Sequence, residues 1–167
     1  GDSTNSPYYS LAMHWLPSED PGKRDHYELA SFIRLMKAKN YADYDAALTG
    51  YDAPAQNFVF AARDGDIALK VNGKFPIKRK EQGRFIQDGS LSNNAWQGYI
   101  PREQIPQVRN PSRGFVASAN QNSADQTYPY YYNGGFDDYR GRFINRSLEA
   151  MDSITVQDLM ALQNNPH

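Results

Sequence analysis

Residues 57–72 constrain the fold of this chain more than any other segment. Two β-prone runs, Asn57–Arg63 and Asp66–Asn72, flank the pair Asp64-Gly65. Glycine enters positive φ at little steric cost, so an Asp-Gly pair between alternating segments specifies an antiparallel hairpin. In the second run Ile67, Leu69 and Val71 share one face, since side chains alternate along a strand. Gly73 and Pro76 end it.

The rest of the chain is read around that hairpin. Tyr8 to Leu16 mixes aromatic and apolar residues and reads as a strand, followed by a turn-rich break from Pro17 to Gly22. From Tyr27 to Ala38, Leu29, Phe32, Ile33 and Met36 recur at helical spacing, which predicts a helix with one buried stripe. Asn40 to Leu48 reads as a second short helix with Tyr44 and Leu48 on one face. Tyr51 to Gln56, with Pro54, is a loop. Lys78 to Pro111 has no sustained period but carries Trp96, Tyr99, Ile100 and Ile105, too apolar for a free linker. It is expected to be ordered and irregular, and such long connections often lie near function. Gly114 to Asn120 alternates and reads as a strand. Gln121 to Asp138 is a loop holding Tyr130-Tyr131-Tyr132 and Gly134-Gly135. Tyr139 to Met151 is helical, with Phe143, Ile144, Leu148 and Met151 inward. Thr155, with Asp158 three residues on, N-caps a last helix lined by Val156, Leu159, Met160 and Leu162. This order of elements predicts an α+β fold with strands and helices in separate layers.

Composition narrows the chemistry. The formal net charge is −1, which argues against a nucleic-acid partner, because phosphate binding needs a basic face. No apolar run is long enough to span a bilayer. With no cysteine, disulfides, iron–sulfur clusters and thiolate catalysis are excluded. Hydrophobic residues make up 40% of the chain, yet mean hydropathy is −0.77, polar for a free-standing globule. The 12 Tyr and 8 Phe supply much of the apolar area, and tyrosine suits pocket walls because its ring has a polar tip. Both ends of the chain read as cut points inside a longer polypeptide.

Metal binding has little support: His14, His26 and His167 are scattered, and Asp43, Asp45 and Asp52 lack calcium-loop spacing and read as solvated side chains. There is no phosphate loop and no Gly-x-Ser-x-Gly elbow. One constellation remains. Asn120 ends the predicted 114–120 strand, where its side chain can project into a cleft, and Arg140 opens a helix about twenty residues on. An Asn amide is a good neutral donor to developing negative charge, and a guanidinium can hold that amide or a carboxylate through its planar fork. A strand-end cap at Asn120 and a surface residue at Arg140 explain the same residues without chemistry.

A family resemblance adds to this reading. Ala12-Met13-His14-Trp15, Pro54-Ala55-Gln56-Asn57-Phe58-Val59-Phe60-Ala61, Asp64-Gly65-Asp66-Ile67 and Gly73-Lys74-Phe75-Pro76-Ile77-Lys78-Arg79 follow in an order that resembles penicillin acylases and their relatives. Trp96-Gln97-Gly98-Tyr99-Ile100-Pro101 looks like the family's Trp-x-Gly-x-x-Pro segment. Gly114-Phe115-Val116-Ala117-Ser118-Ala119-Asn120 looks like its Gly-Phe-Ile-Ala-Thr-Ala-Asn strand, and Tyr128-Pro129, the Arg140 helix and Leu162-Gln163 fall in the same order. The resemblance implies a four-layer αββα sandwich of the N-terminal-nucleophile type, built from a self-cleaving precursor. It implies that residues 1–167 are a single piece of the β-subunit core. An N-terminal Ser whose own amino group is the base would attack an amide of penicillin or N-acyl type. By position, Asn120 resembles the oxyanion Asn, Arg140 the Arg that orients the site, and Gln56 a residue lining the acyl pocket. The nucleophile, the backbone oxyanion donor and the first calcium ligands are expected upstream. Ser92-Asn93-Asn94-Ala95-Trp96 resembles the nucleophile motif but belongs by register to the Trp-x-Gly-x-x-Pro segment. Tyr132 falls near the place where calcium-binding relatives carry an Asp, so no cofactor is expected here, and calcium only in the parent. The implied partners are a small acyl-amide substrate and the remaining subunit of the processed precursor, in a periplasmic or secreted setting. The competing expectation is a non-catalytic module of the same ancestry, with the tyrosine run and Trp96 as a platform for a peptide or sugar.

Overall fold

The structure, a computed structural model, describes residues 11–19, 22, 27–132 and 137–165. The hairpin forms as its sequence requires. Strands β1 (Gln56–Ala61) and β2 (Ile67–Asn72) pair antiparallel in the register Gln56↔Asn72 to Ala61↔Ile67. Gly65 takes φ +92° in the connecting turn. A third strand, β3 (Gln107–Arg109), adds antiparallel to β2, giving the order β1-β2-β3. This strand falls inside the segment expected to be irregular. It has three residues between Pro106 and Pro111, too few to show a period. Asn110 anchors its end, its Oδ1 accepting from Ile67 N–H at 2.9 Å.

Two helices precede the sheet in sequence: α1 (Glu28–Leu35) and α2 (Tyr41–Ala47). Asn40 N-caps α2, its side chain accepting from Asp43 N–H at 2.9 Å. Aromatic rings join this pair to β1: Tyr44 meets Phe60 at 5.1 Å and Tyr51 meets Phe58 at 5.2 Å between centroids. Tyr44 and Leu48 are buried, as expected. The even positions of β2 carry polar groups into the same region. Asn72 Nδ2 donates to the carbonyls of Leu48 and Tyr51, and buried Lys70 pairs with Asp45 at 2.5 Å. Asp45 is therefore ion-paired and half-buried, not a freely solvated carboxylate.

On the other face of β2, Val71 forms a core with Ile100 and Ile105, against which Phe75, Ile77 and Tyr130 pack. The three buried side chains each contribute roughly 1.5–3 kcal/mol relative to exposure, and the partly buried ones less. This explains why 78–105 is ordered without regular structure. Its apolar residues are anchors on the sheet, and Ile100 N–H donates to Phe75 C=O at 2.8 Å.

Helices α3 (Tyr139–Glu149) and α4 (Val156–Gln163) close the chain. Thr155 and Asp158 form the expected capping box, each side chain bonding the other residue's backbone N–H.

Three further expectations fail. Leu11–Trp15 forms no strand and Leu16–Ser18 is a 3-10 turn, while the rest of the 8–16 reading lies outside the described residues. Gly114–Asn120 is not in a ladder. Its Ala117 and Ser118 line a small cleft with Leu69, Val71 and Val108. Finally, the apolar stripe of α1 faces outward. Leu29, Ile33 and Met36 are 74%, 51% and 87% exposed, while Ser31 is fully buried. Helical spacing fixes which residues share a face, not which face turns inward. Phe32, at the stripe's border, meets Tyr51 edge-on at 5.6 Å.

Candidate active site

A cavity of about 420 Å³ opens where the start of β1 meets the segment after residue 114, and Gln56, Asn57, Val71, Asn120, Gln121 and Tyr131 are among its walls. Two of the three residues singled out from sequence, Gln56 and Asn120, thus line one cavity. Arg140 lies in a neighbouring apolar groove of about 620 Å³ between α3 and α4, but its guanidinium reaches back: Nη2 donates to Asn120 Oδ1.

The local geometry follows from residue type. Asn120 sits at φ +59° in a bend, a left-handed conformation that asparagine enters more readily than most residues. This is a turn and not a strand end, yet it still places the side chain at the cavity. Arginine carries only donors, so contact with it holds the amide oxygen on Arg140's side and leaves Nδ2 on the other. Asn120 Nδ2 has no hydrogen-bond partner among the described residues. The arrangement therefore presents a neutral N–H donor that is oriented by a cation and carries no charge itself.

Two residues that sequence reasoning did not single out hold this region together. Asn57 Nδ2 donates to Ser118 Oγ at 2.6 Å, tying β1 to the segment that ends in Asn120. Gln121 bonds back to the backbone, its Oε1 accepting from Ala119 N–H at 2.6 Å and its Nε2 donating to Ala117 C=O at 3.0 Å. No spacing rule marks either residue. Asn57 acts across 61 positions, and the Gln121 clasp needs the turn already formed.

The tyrosines pack mainly on one another. Tyr128 meets Tyr130 and Tyr132 edge-on at 5.6 and 6.2 Å, and Tyr132 meets Phe75 at 5.9 Å. Burial pushes the Tyr132 hydroxyl pKa up, partly offset by a hydrogen bond with Ser123. Trp96 stacks on His14 at 3.8 Å, and His14 Nε2 lies 2.8 Å from Glu19. The hydroxyl of Tyr99 and then His14 hold the Glu19 carboxyl below the usual range against desolvation. His14 is thus a packing residue, while His26 and His167 lie outside the described residues. Ser92 lies in a 3-10 turn, Ser92–Asn94, and is not among the residues that line the cavity. Among the described residues no group of three or more His, Cys, Asp or Glu could hold a metal ion, and no helix is long and apolar enough to cross a membrane.

Comparison with known proteins places the chain in a family. The profile of the Penicillin amidase family matches residues 2–167. The acyl-homoserine lactone acylase QuiP of Pseudomonas fluorescens is 31% identical over 113 residues, which is 68% of this chain and 14% of that protein. The penicillin G acylase of Escherichia coli is 27% identical over 163 residues, 93% of this chain and 18% of its own length. The chain thus spans less than a fifth of these relatives. In structure it resembles the thermostable penicillin G acylase from Alcaligenes faecalis, with TM-score 0.58 and 21% identity over 83% of this chain and 25% of that one. The α+β arrangement is therefore that of one portion of this acylase's fold. This chain belongs to the penicillin amidase family.

Proposed function

We propose that the protein to which this chain belongs hydrolyses a carboxamide, and that residues 1–167 form one piece of its β-subunit core. The attacking group would be an N-terminal Ser upstream of these residues, with its own α-amino group as base. Asn120 would donate Nδ2–H to the oxyanion of the tetrahedral intermediate, and Arg140 would orient it. Gln56 would line the acyl pocket. The substrate class is a penicillin or another N-acyl amide, as the names of the relatives suggest. The remaining subunit of a processed precursor would complete both the pocket and the four-layer sandwich. A periplasmic or secreted setting fits such a precursor.

One observation carries the reading: the Arg140–Asn120 hydrogen bond at the edge of a cavity that Gln56 also lines. A charge-assisted bond to Oδ1 costs the site a flexible amide and leaves a fixed donor, the form of preorganisation that stabilises charge appearing only in the transition state. The platform reading has less in its favour, because one face of Trp96 is covered by His14 and the tyrosines are engaged with each other.

The test is Asn120→Ala in the full-length, processed enzyme. Loss of one oxyanion donor should lower kcat by about 10²–10³-fold, with KM little changed. Activity close to wild type on the best amide substrate would sink the assignment. Mass spectrometry of the mature protein should find Ser, Cys or Thr at the start of its second subunit. An uncut chain with another residue there would favour the binding module.

A further inference from the structure

The Asn120–Arg140 contact rests on the two residues that follow its members in sequence. Asn120 holds a left-handed φ with no strand ladder to support it. Its support is the side chain of Gln121, whose amide grips the chain just before Asn120 at both ends, through Ala119 N–H and Ala117 C=O. Ala119 is buried, so this N–H has no ready substitute partner in water.

Helix α3 lies against the other side of that same amide. Gly141 is buried in the first turn of α3. A Cβ there would stand 3.0 Å from both Cβ and Oε1 of Gln121 and 3.3 Å from its Cδ, closer than ordinary van der Waals contact. A flexible side chain could move aside, but Gln121 is pinned at both ends of its amide and can retreat only by releasing the backbone. Glycine is among the poorest helix formers, so alanine at an early helical position would ordinarily help α3. The bare Cα of Gly141 instead lets the start of α3 approach closely enough for the adjacent Arg140 to reach Asn120 Oδ1.

We propose that Gln121 and Gly141 are positioning residues for the Asn120 donor: Gln121 fixes the turn that aims Asn120, and Gly141 seats α3 against Gln121 so that Arg140 can hold the amide. The inference rests on the reading of Asn120 as an oxyanion donor and deepens it. Both residues act through Asn120.

The experiment measures kcat, KM and thermal midpoint in the processed full-length enzyme. It compares Gln121→Met, Gln121→Glu and Gly141→Ala, each alone and combined with Asn120→Ala. Gln121→Met keeps the length of the side chain and removes both hydrogen bonds, and Gln121→Glu keeps the acceptor for Ala119 N–H. Displacing a reacting or stabilising group by about 1 Å costs on the order of 10²-fold, so Gln121→Met and Gly141→Ala should lower kcat by about 10- to 100-fold. KM should stay within about twofold, and Gln121→Glu should recover part of the loss. In the Asn120→Ala background the same changes should have almost no further effect, because the donor they position is gone. Equal losses in both backgrounds would overturn the proposal, since they would mark a general structural role. An unchanged kcat in Gln121→Met beside a damaged Asn120→Ala would overturn it too and leave the oxyanion assignment standing. An intact Asn120→Ala would remove both readings together. Should Gly141→Ala not accumulate, the Gln121 variants decide.

Discussion

Replacing Asp45 with Asn tests what joins α2 to the sheet. The carboxylate accepts from Lys70 Nζ at 2.5 Å and from Arg102 Nη1 and Nη2 at 2.9 and 3.0 Å. Arg102 Nη2 also reaches the Asp45 backbone carbonyl at 2.6 Å. The three groups are unequally buried: side-chain exposure is 3% for Lys70, 31% for Asp45 and 28% for Arg102. That inequality sets the magnitude. Arg102 recovers hydration when the carboxylate goes, whereas the Lys70 ammonium, enclosed in β2, does not. Stranding a buried charge costs about 3–5 kcal/mol, and partial solvent access at Asp45 takes the expected loss to the lower end, about 3 kcal/mol. Lys70→Met removes the other partner but leaves Asp45 with Arg102, so it should cost only about 1 kcal/mol. The double variant, with no stranded charge, should be more stable than Asp45→Asn alone. Urea unfolding at pH 7, followed by far-UV circular dichroism and tryptophan fluorescence, gives all three values. The reasoning is refuted if Asp45→Asn lies within about 0.5 kcal/mol of wild type, below which surface changes usually fall, or if the double variant is the least stable. Acid adds a second readout. Burial pushes the Asp45 carboxyl up, but the bonds from Arg102 and Lys70 outweigh it, leaving its pKa below the ordinary value of 3.8. A lowered folded-state pKa contributes stability that is complete above the ordinary carboxylate value and is lost as pH falls through the lowered one. The wild-type protein should therefore lose stability more steeply than Asp45→Asn below about pH 4.

Two further outcomes follow from local geometry. Gly73 has φ +154°, and a Cβ there would stand 2.9 Å from Ala55 Cβ and 3.0 Å from its Cα. Gly73→Ala should thus cost about 1–3 kcal/mol in urea unfolding and displace the Ala55–Gln56 wall of the cavity; an unchanged midpoint would refute it. Thr155→Ala removes the hydroxyl half of the capping box, leaves the Asp158 carboxylate on the residue-155 N–H, and should destabilise α4 by about 1 kcal/mol. Because α4 is largely exposed, the loss should be read as faster amide exchange in its first turn, with little change in global unfolding.

The parts of the fold legible in the sequence are those whose determinants are local. The Asp64-Gly65 hairpin, the cap at Asn40 and the box at Thr155 each depend on groups within a few residues of one another. Strand β3 was illegible because its pairing with β2 is decided about forty positions away and its three residues carry no period. The segment 114–120 shows the opposite failure: it alternates like a strand, but it pairs with none of the three strands. At the candidate site, residue chemistry alone left Asn120 and Arg140 as ordinary cap and surface residues. The family resemblance implies roles for both at one site, and the fold brings them into contact. Gln121 and Gly141 were out of reach of either route, because a clasp and a close approach exist only once both segments are in place.

The outward stripe of α1 changes how this protein should be read by spectroscopic probes. In residues 1–167 taken alone, Leu29, Ile33 and Met36 present a strip of apolar surface of the kind to which dyes of the anilinonaphthalene sulfonate type are expected to bind. Their fluorescence is usually taken as the mark of a molten state, in which tertiary packing has been lost. Here the strip belongs to the folded helix, so a strong dye signal is compatible with fully native packing around Tyr44, Leu48 and Tyr51. Near-ultraviolet dichroism from the interlocked aromatic rings, not dye binding, is the measurement that separates the native chain from a collapsed one.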